Sequence, residues 1–80
     1  MVEFTDEELE TFYRTVGKNV RRERKKQQLT QMQLALAIGH NSVGYIAKAE
    51  LYKYNKHFSL EQLYKIAKIL EINLHQLIPE

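Results

Sequence analysis

Residues 30–50 read TQMQLALAIGHNSVGYIAKAE and contain two short helical patterns separated by a glycine. Thr30 followed three residues later by Gln33 is a capping-box signature, which predicts that a helix begins here. The apolar face of this helix consists of Leu34, Ala35 and Ile38. Gly39 fits a left-handed C-terminal cap, so the predicted helix is only about two turns long.

A second helix follows after a turn of three or four residues. Either Asn41 or Ser42 can cap it, and its buried face would consist of Ile46, Ala49 and Glu50. Because the turn is so short, the two helices are predicted to be neighbours at a steep angle.

The residues before this pair predict one long helix. Thr5 with Glu8 forms another capping box, so the helix is expected to start at Thr5 as its cap. The helical segment then covers Asp6 to Gln28. Its apolar residues recur at spacings of three and four, at Leu9, Phe12, Tyr13, Val16 and Val20. Gly17 lies beside this stripe and could mark a break, but a continuous helix is favoured.

The residues after the pair predict a loop and two further helices. Residues 51–58 have no period and are expected to form the loop, whereas Ser59 with Gln62 opens an amphipathic helix. Asn73 with Gln76 then caps a last short helix, which Pro79 ends. No segment alternates with period two for long enough to be a strand. The prediction is one all-α domain of five helices spanning 1–80, in which 1–15 form an acidic N-terminal extension of the first helix.

Length and composition exclude several classes of protein. Eighty residues are enough for one domain, and the chain contains no cysteine for a disulfide framework or a thiolate zinc site. No apolar run approaches the ~20 residues of a membrane span, and the acidic start does not resemble a signal peptide. We therefore expect a cytoplasmic protein. An enzyme is the least favoured class because no titratable pair shares a plausible pocket, and the scattered histidines predict no metal site or cofactor.

Charge is distributed unevenly along the chain. Residues 1–10 contain five acids and no base, so residues 11–80 hold twelve bases and five acids, a balance of +7. Six of the bases lie within residues 18–26. A like-charge block of this kind favours a polyanion as partner, although a solvated helix face explains such a run equally well.

The order of these elements matches a known family pattern. Residues 20–39 (VRRERKKQQLTQMQLALAIG), 45–50 (YIAKAE) and 59–77 (SLEQLYKIAKILEINLHQL) resemble the Cro/repressor-type (XRE-like) helix-turn-helix family. The resemblance covers most of the chain and implies a lambda-repressor-like helix-turn-helix fold that binds double-stranded DNA. Two departures affect the site: the turn after Gly39 has one residue more than usual, and residues 51–54 (LYKY) replace the usual glycine and lysine.

Arg24 and Glu50 are expected to form an ion pair. Each lies four residues beyond an apolar residue of a buried face, Val20 and Ile46 respectively. Either charge buried alone would cost several kcal/mol, so the two should meet. The resemblance implies the same pair, which gives Arg24 a structural role rather than a DNA contact.

The resemblance also implies the residues that contact DNA. Aligned backward from Glu50, the positions facing the bases are Ser42, Val43, Gly44, Ala47 and Lys48. Among them Lys48 can bind guanine acceptors, and Val43 suits a thymine methyl group. The predicted phosphate contacts are Gln31, Tyr45, Lys53, Tyr54, Asn55 and Lys56, with His57 nearby; Tyr45 could equally pack inside.

The functional hypothesis is a transcriptional regulator, a repressor or autoregulator, that binds a palindromic operator as a homodimer. The resemblance places the dimer interface at Leu74, Leu77 and Ile78, and the leading segment with Val2, Phe4 and Leu9 is a second candidate. The alternative is an antitoxin or adaptor that binds a protein partner through residues 1–10.

Overall fold

The computed structural model describes residues 2–79 and contains helices but no strand in that range. The four α-helices are α1 (Asp6–Lys26), α2 (Gln31–Ala37), α3 (Val43–Leu51) and α4 (Leu60–Leu70). Single 3₁₀ turns occupy Lys53–Asn55 and Leu74–Gln76. The all-α prediction is confirmed, but the fifth helix is one 3₁₀ turn, closed by a bond from the Leu77 N–H to the Leu74 carbonyl.

The predicted helix starts are confirmed by their capping bonds. The Thr5 hydroxyl accepts a hydrogen bond from the Glu8 N–H at 3.0 Å. Thr30 and Ser59 each form a reciprocal capping box with the glutamine three residues later. These bonds satisfy backbone donors that have no partner within the helix, which is why such short-range signatures place helix starts well.

Gly17 does not break α1; it lets α3 approach it. The helix continues through this position, and a Cβ built on Gly17 would lie 2.5 Å from the Glu50 carbonyl oxygen. The same Cβ would lie 2.7 Å from the carbonyl oxygen of Ala49. Only glycine permits this crossing, so the end of α3 is held directly against the middle of α1.

All four helices contribute to one core. Its buried apolar residues are Val16, Val20, Leu34, Ala35, Ile38, Ile46, Ala49, Phe58, Leu63, Ile66, Ala67, Leu70 and Leu77. No helix in residues 2–79 combines the length and apolarity that crossing a membrane would require.

The C-terminal 3₁₀ turn is hydrogen-bonded to α1. Asn19 donates from Nδ2 to the Leu77 carbonyl at 3.1 Å, and Arg22 donates from Nη2 to the Gln76 carbonyl at 3.3 Å. Leu77 is completely buried in the domain's own core. Its assignment to a dimer interface is therefore wrong, because no part of its side chain is left to meet a partner; Leu74 and Ile78 are half-buried.

The predicted loop at 51–58 is shifted by one residue, because the connection between α3 and α4 occupies residues 52–59. Leu51 is the last residue of α3, and Phe58 is buried in the core. Tyr52 ends α3 in the left-handed conformation, with φ of 54°. A 3₁₀ turn then occupies the middle of the connection.

Candidate nucleic-acid interface

The turn between α2 and α3 closes around Gly39. The Gly39 N–H donates to the Leu36 carbonyl at 3.1 Å, and the His40 N–H donates to the Ala35 carbonyl at 2.8 Å. With Gly39 at φ of 76°, these two bonds form a Schellman cap. Ser42, rather than Asn41, caps α3 and accepts the Tyr45 N–H at 3.2 Å. The extra turn residue therefore leaves the start of α3 at Val43.

A buried ion pair joins α1 to α3. Arg24 donates to Glu50 twice, from Nε to Oε2 at 2.7 Å and from Nη2 to Oε1 at 3.0 Å. The same guanidinium donates to the Leu29 carbonyl at 2.7 Å, and Gln31 donates from Nε2 to Glu50 Oε1 at 3.0 Å. Both charged side chains are buried and hydrogen-bonded, so the network fixes α1, the start of α2 and the end of α3 relative to one another.

The face of α3 opposite this ion pair lies at the surface. Val43, Gly44 and Lys48 are exposed, and Ala47 is half-buried between them. Leu51 lies on the same face, is also exposed, and was missed because it was assigned to the loop. This exposed face of α3 presents one cationic side chain among small or apolar ones.

Gly44 has room for a side chain. A Cβ built there would come no closer than 3.8 Å to a neighbour, the Ser42 hydroxyl. Nothing inside the domain therefore requires glycine at this position, although glycine weakens a helix. A ligand that comes close to α3 at this position would explain the glycine, whereas the fold of the domain does not.

The connection after α3 brings a tyrosine to Lys48. Tyr54 is 73% exposed, and its ring centroid lies 5.8 Å from the Lys48 ammonium and 5.8 Å from that of Lys53. Asn55 and Lys56 follow and are also exposed. Tyr54 therefore lies beside the exposed face of α3 and Lys53 beside Tyr54, whereas Asn55 lines a cleft next to the start of α1.

Tyr45 packs inward, so its assignment as a phosphate contact is wrong. Its hydroxyl hydrogen-bonds to the backbone carbonyl of His57 and lies 3.2 Å from Gln62 Oε1. Its ring stacks on His40 with centroids 4.7 Å apart and meets Phe58 edge-on. The hydroxyl is occupied within the domain and is not free to reach a phosphate.

The basic run at 18–26 is partly neutralised by its one acid. Glu23 is buried and accepts hydrogen bonds from Arg22 Nε at 3.0 Å and Lys26 Nζ at 3.2 Å. The hydrogen bond from Arg22 lowers the pKa of the Glu23 carboxyl, and burial opposes this only in part. Glu23 is therefore ionised at neutral pH. Together with the burial of Arg24, this makes the run less cationic than its sequence suggests.

Several contacts at the end of α3 carried no local sequence signal. Arg14 donates from Nη1 to the Leu51 carbonyl at 3.1 Å and lies over the ring of Tyr52. Tyr13 stacks on both His57 and Tyr52, with centroid distances of 4.0 Å and 5.6 Å respectively. These contacts join α1 to the connection after α3, so the first helix also supports the loop beside the exposed face.

Comparisons with known proteins agree with this geometry. A helix-turn-helix family model matches residues 20–77, and no curated protein matches the chain. A solved structure similar to this chain is the restriction-modification controller protein C.AhdI from Aeromonas hydrophila. It is 26% identical with a TM-score of 0.73, and the match covers 82% of this chain and 96% of that one. The chain therefore belongs to the XRE-type helix-turn-helix family of DNA-binding regulators.

Proposed function

We propose that the chain is a sequence-specific double-stranded DNA-binding repressor or autoregulator that acts as a dimer on a palindromic operator. The observation that carries the proposal is the exposed face of α3, held by the buried pair of Arg24 and Glu50 and bordered by a basic connection. A helix presented in this way enters the major groove of DNA.

The residues divide into base and phosphate contacts. Lys48 donates to the acceptors of a guanine, and Val43 contacts a thymine methyl group. Gly44 and Ala47 are small and let the helix backbone come close to the bases. Ser42 contacts a base from the start of the helix. Phosphates are contacted from Lys53, Tyr54, Asn55 and Lys56, whereas the side-chain amide of Gln31 is already hydrogen-bonded to Glu50. With roughly three to five phosphates neutralised per subunit, log affinity falls with log salt at about −0.9 per phosphate.

Selection of bound duplexes from a random pool tests the proposal. The wild-type chain is expected to enrich a palindrome with half-sites about one helical turn apart. Lys48→Ala should lose about 1–3 kcal/mol of discrimination at one base pair per half-site while keeping its melting temperature, because Lys48 is exposed. Lys68→Ala, on α4, is the control and should enrich the same palindrome. A pool without enrichment would refute sequence-specific binding.

The proposed dimer interface is an apolar groove between α1 and α4. Its volume is about 290 Å³, and Phe12, Leu60, Leu63 and Ile78 are among its lining residues. Ile78 belongs to the interface predicted from the sequence, and Leu60 adds an exposed leucine beside it. A second copy that covers this groove would bury apolar surface that one domain leaves open.

A pair of matched substitutions tests this interface. Leu60 and Leu36 are 69% and 70% exposed, on α4 and α2 respectively, so replacing either should leave the fold intact. Leu60→Asp is expected to convert the dimer to a monomer in sedimentation experiments, because it places a charge in the apolar groove. Leu36→Asp should remain dimeric. A dimer that survives Leu60→Asp would place the interface elsewhere.

A second candidate function is supported by the start of α1. A cleft of about 510 Å³ is lined by residues that include Asp6, Glu7, Glu10, Tyr13 and Tyr52. Leu9 also lines the cleft, and Val2 and Phe4, which precede α1 in the chain, are exposed. This acidic, partly apolar surface suits a basic protein partner, as in an antitoxin or adaptor. Loss of such a partner on deletion of residues 1–10, with DNA binding retained, would favour it.

A further inference from the structure

We infer that Tyr54 is a positioning residue for Lys48: its ring holds the lysine ammonium over the exposed face of α3 and thereby sets discrimination at one base pair. The inference rests on the proposed function and goes beyond it. It gives Tyr54 a part in reading sequence in addition to its proposed phosphate contact.

The geometry places the ring beside both basic side chains. The Lys48 ammonium lies 5.8 Å from the Tyr54 ring centroid, within the ~6 Å over which a cation is attracted to an aromatic face. Lys53 lies at the same distance from the ring, on the connection itself. Tyr54 is thus shared by a lysine of α3 and a lysine of the connection.

The backbone around Tyr54 is held in an unusual conformation. Tyr52, Tyr54 and Asn55 have φ of 54°, 54° and 61°, all in the left-handed region. This region costs a residue with a Cβ free energy, and asparagine tolerates it better than tyrosine does. Since Tyr54 is mostly exposed, burial does not offset that cost at this position. A strained conformation beside a binding face supports a functional role for the side chain.

The physical effect of the ring is to restrict Lys48. A free lysine side chain has four rotatable bonds and loses much of their freedom when it binds a base edge. A ring that already holds the ammonium lowers that loss, so the correct base gains affinity, whereas a base offering no acceptor gains little. Tyr54 therefore increases the preference for one base without touching it.

The preference is measured as a ratio of dissociation constants. One duplex carries the selected operator, and the other differs at the base pair where Lys48→Ala loses discrimination. An exposed cation–aromatic contact corresponds to about a 2- to 5-fold change, so Tyr54→Leu should lower the ratio by about that factor. Tyr54→Phe keeps the ring and should keep the ratio. In the Lys48→Ala background, Tyr54→Leu should leave the ratio unchanged, because the side chain it positions is gone.

A matched control is available on α4. Tyr64 is 57% exposed, and the Lys68 ammonium lies 5.9 Å from its ring centroid, a pair with the same chemistry away from α3. Tyr64→Leu should leave the ratio unchanged. Melting temperatures of all variants establish that the fold is retained.

The outcomes separate this inference from the proposed function. A wild-type chain with no preference for any duplex overturns both. A wild-type preference that Tyr54→Leu retains in full overturns the inference alone. If Tyr54→Phe and Tyr54→Leu weaken both duplexes equally, the hydroxyl contacts phosphate and the positioning role is refuted.

Discussion

Each side of α3 involves a charged residue and a glycine, the inward glycine belonging to α1, but the constraints on the two sides are opposite. On the inward face, Glu50 is buried against Arg24, and the α3 backbone touches Gly17 of α1 so closely that a Cβ would not fit. On the outward face, Lys48 and Gly44 are exposed, and a Cβ on Gly44 would make only an ordinary contact, with the Ser42 hydroxyl at 3.8 Å. A charge and a glycine therefore serve the fold on one side, whereas on the other side they are available to a partner.

This contrast implies that substitutions on the two faces act on different quantities. Inward changes should lower the free energy of unfolding, and binding should fall with it. Outward changes should alter DNA binding while stability stays unchanged or rises slightly.

The largest effect is expected from Arg24→Ala. Removing the guanidinium leaves the Glu50 carboxylate buried with one remaining side-chain donor, Gln31 Nε2. Breaking a buried pair in this way costs about 3–5 kcal/mol, which is a large part of the stability of so small a domain. Chemical denaturation should show the loss, and DNA binding should decrease in parallel.

The matched control for Arg24→Ala is Lys65→Ala. Lys65 pairs with Glu61 at 3.2 Å on the exposed side of α4, with side chains 47% and 77% exposed. Such a surface pair contributes about 0–1 kcal/mol, so this variant should unfold almost like the wild type. Equal stability of the two variants would contradict the structural role of the buried pair.

A smaller loss is expected from Gly17→Ala. The added methyl group would overlap the carbonyl oxygens of Ala49 and Glu50, both of them backbone atoms that cannot rotate away. The helix gains from alanine, but overpacking at a rigid contact costs about 1–3 kcal/mol, and the net change should be destabilising. Calorimetry should show a lower melting temperature; an increase would mean that α1 and α3 separate at little cost.

The sequence predicts local features such as helix caps well. It predicts long-range contacts only where a buried group requires a partner. Thr5, Thr30 and Ser59 were correctly placed as caps because a capping bond spans only three residues. The long-range contact between Arg24 and Glu50 could be anticipated because buried charges need each other. Leu77 was wrongly placed because the resemblance and its apolar side chain indicate that it is covered, but not by which surface.

The candidate site shows the same division. The exposed members of α3 follow from the helical period once its buried face is known. Tyr45 was wrongly assigned because its hydroxyl bonds to residues 57 and 62, and no local pattern reveals that contact. The approach of Tyr54 to Lys48 depends on left-handed residues in the connection. A tyrosine in the sequence does not predict that conformation.

The smallest expected change in stability, and the one that separates the two faces most clearly, is Gly44→Ala. Alanine stabilises a helix by up to about 1 kcal/mol relative to glycine, and the first turn of α3 has room for its methyl group. The melting temperature should therefore rise slightly. If α3 approaches the floor of the major groove at this position, the same methyl group overpacks the interface by at least about 1 kcal/mol, which lowers affinity for the selected operator about fivefold or more.

Opposite signs for stability and affinity at Gly44, set beside a loss of both at Gly17, would establish that the two glycines serve different purposes. If Gly44→Ala raised stability and left affinity intact, α3 would not lie close to DNA at this position, and the docking of its outward face would have to be revised. The comparison is informative because the substitution is identical at both sites and only the surroundings of the added methyl group differ.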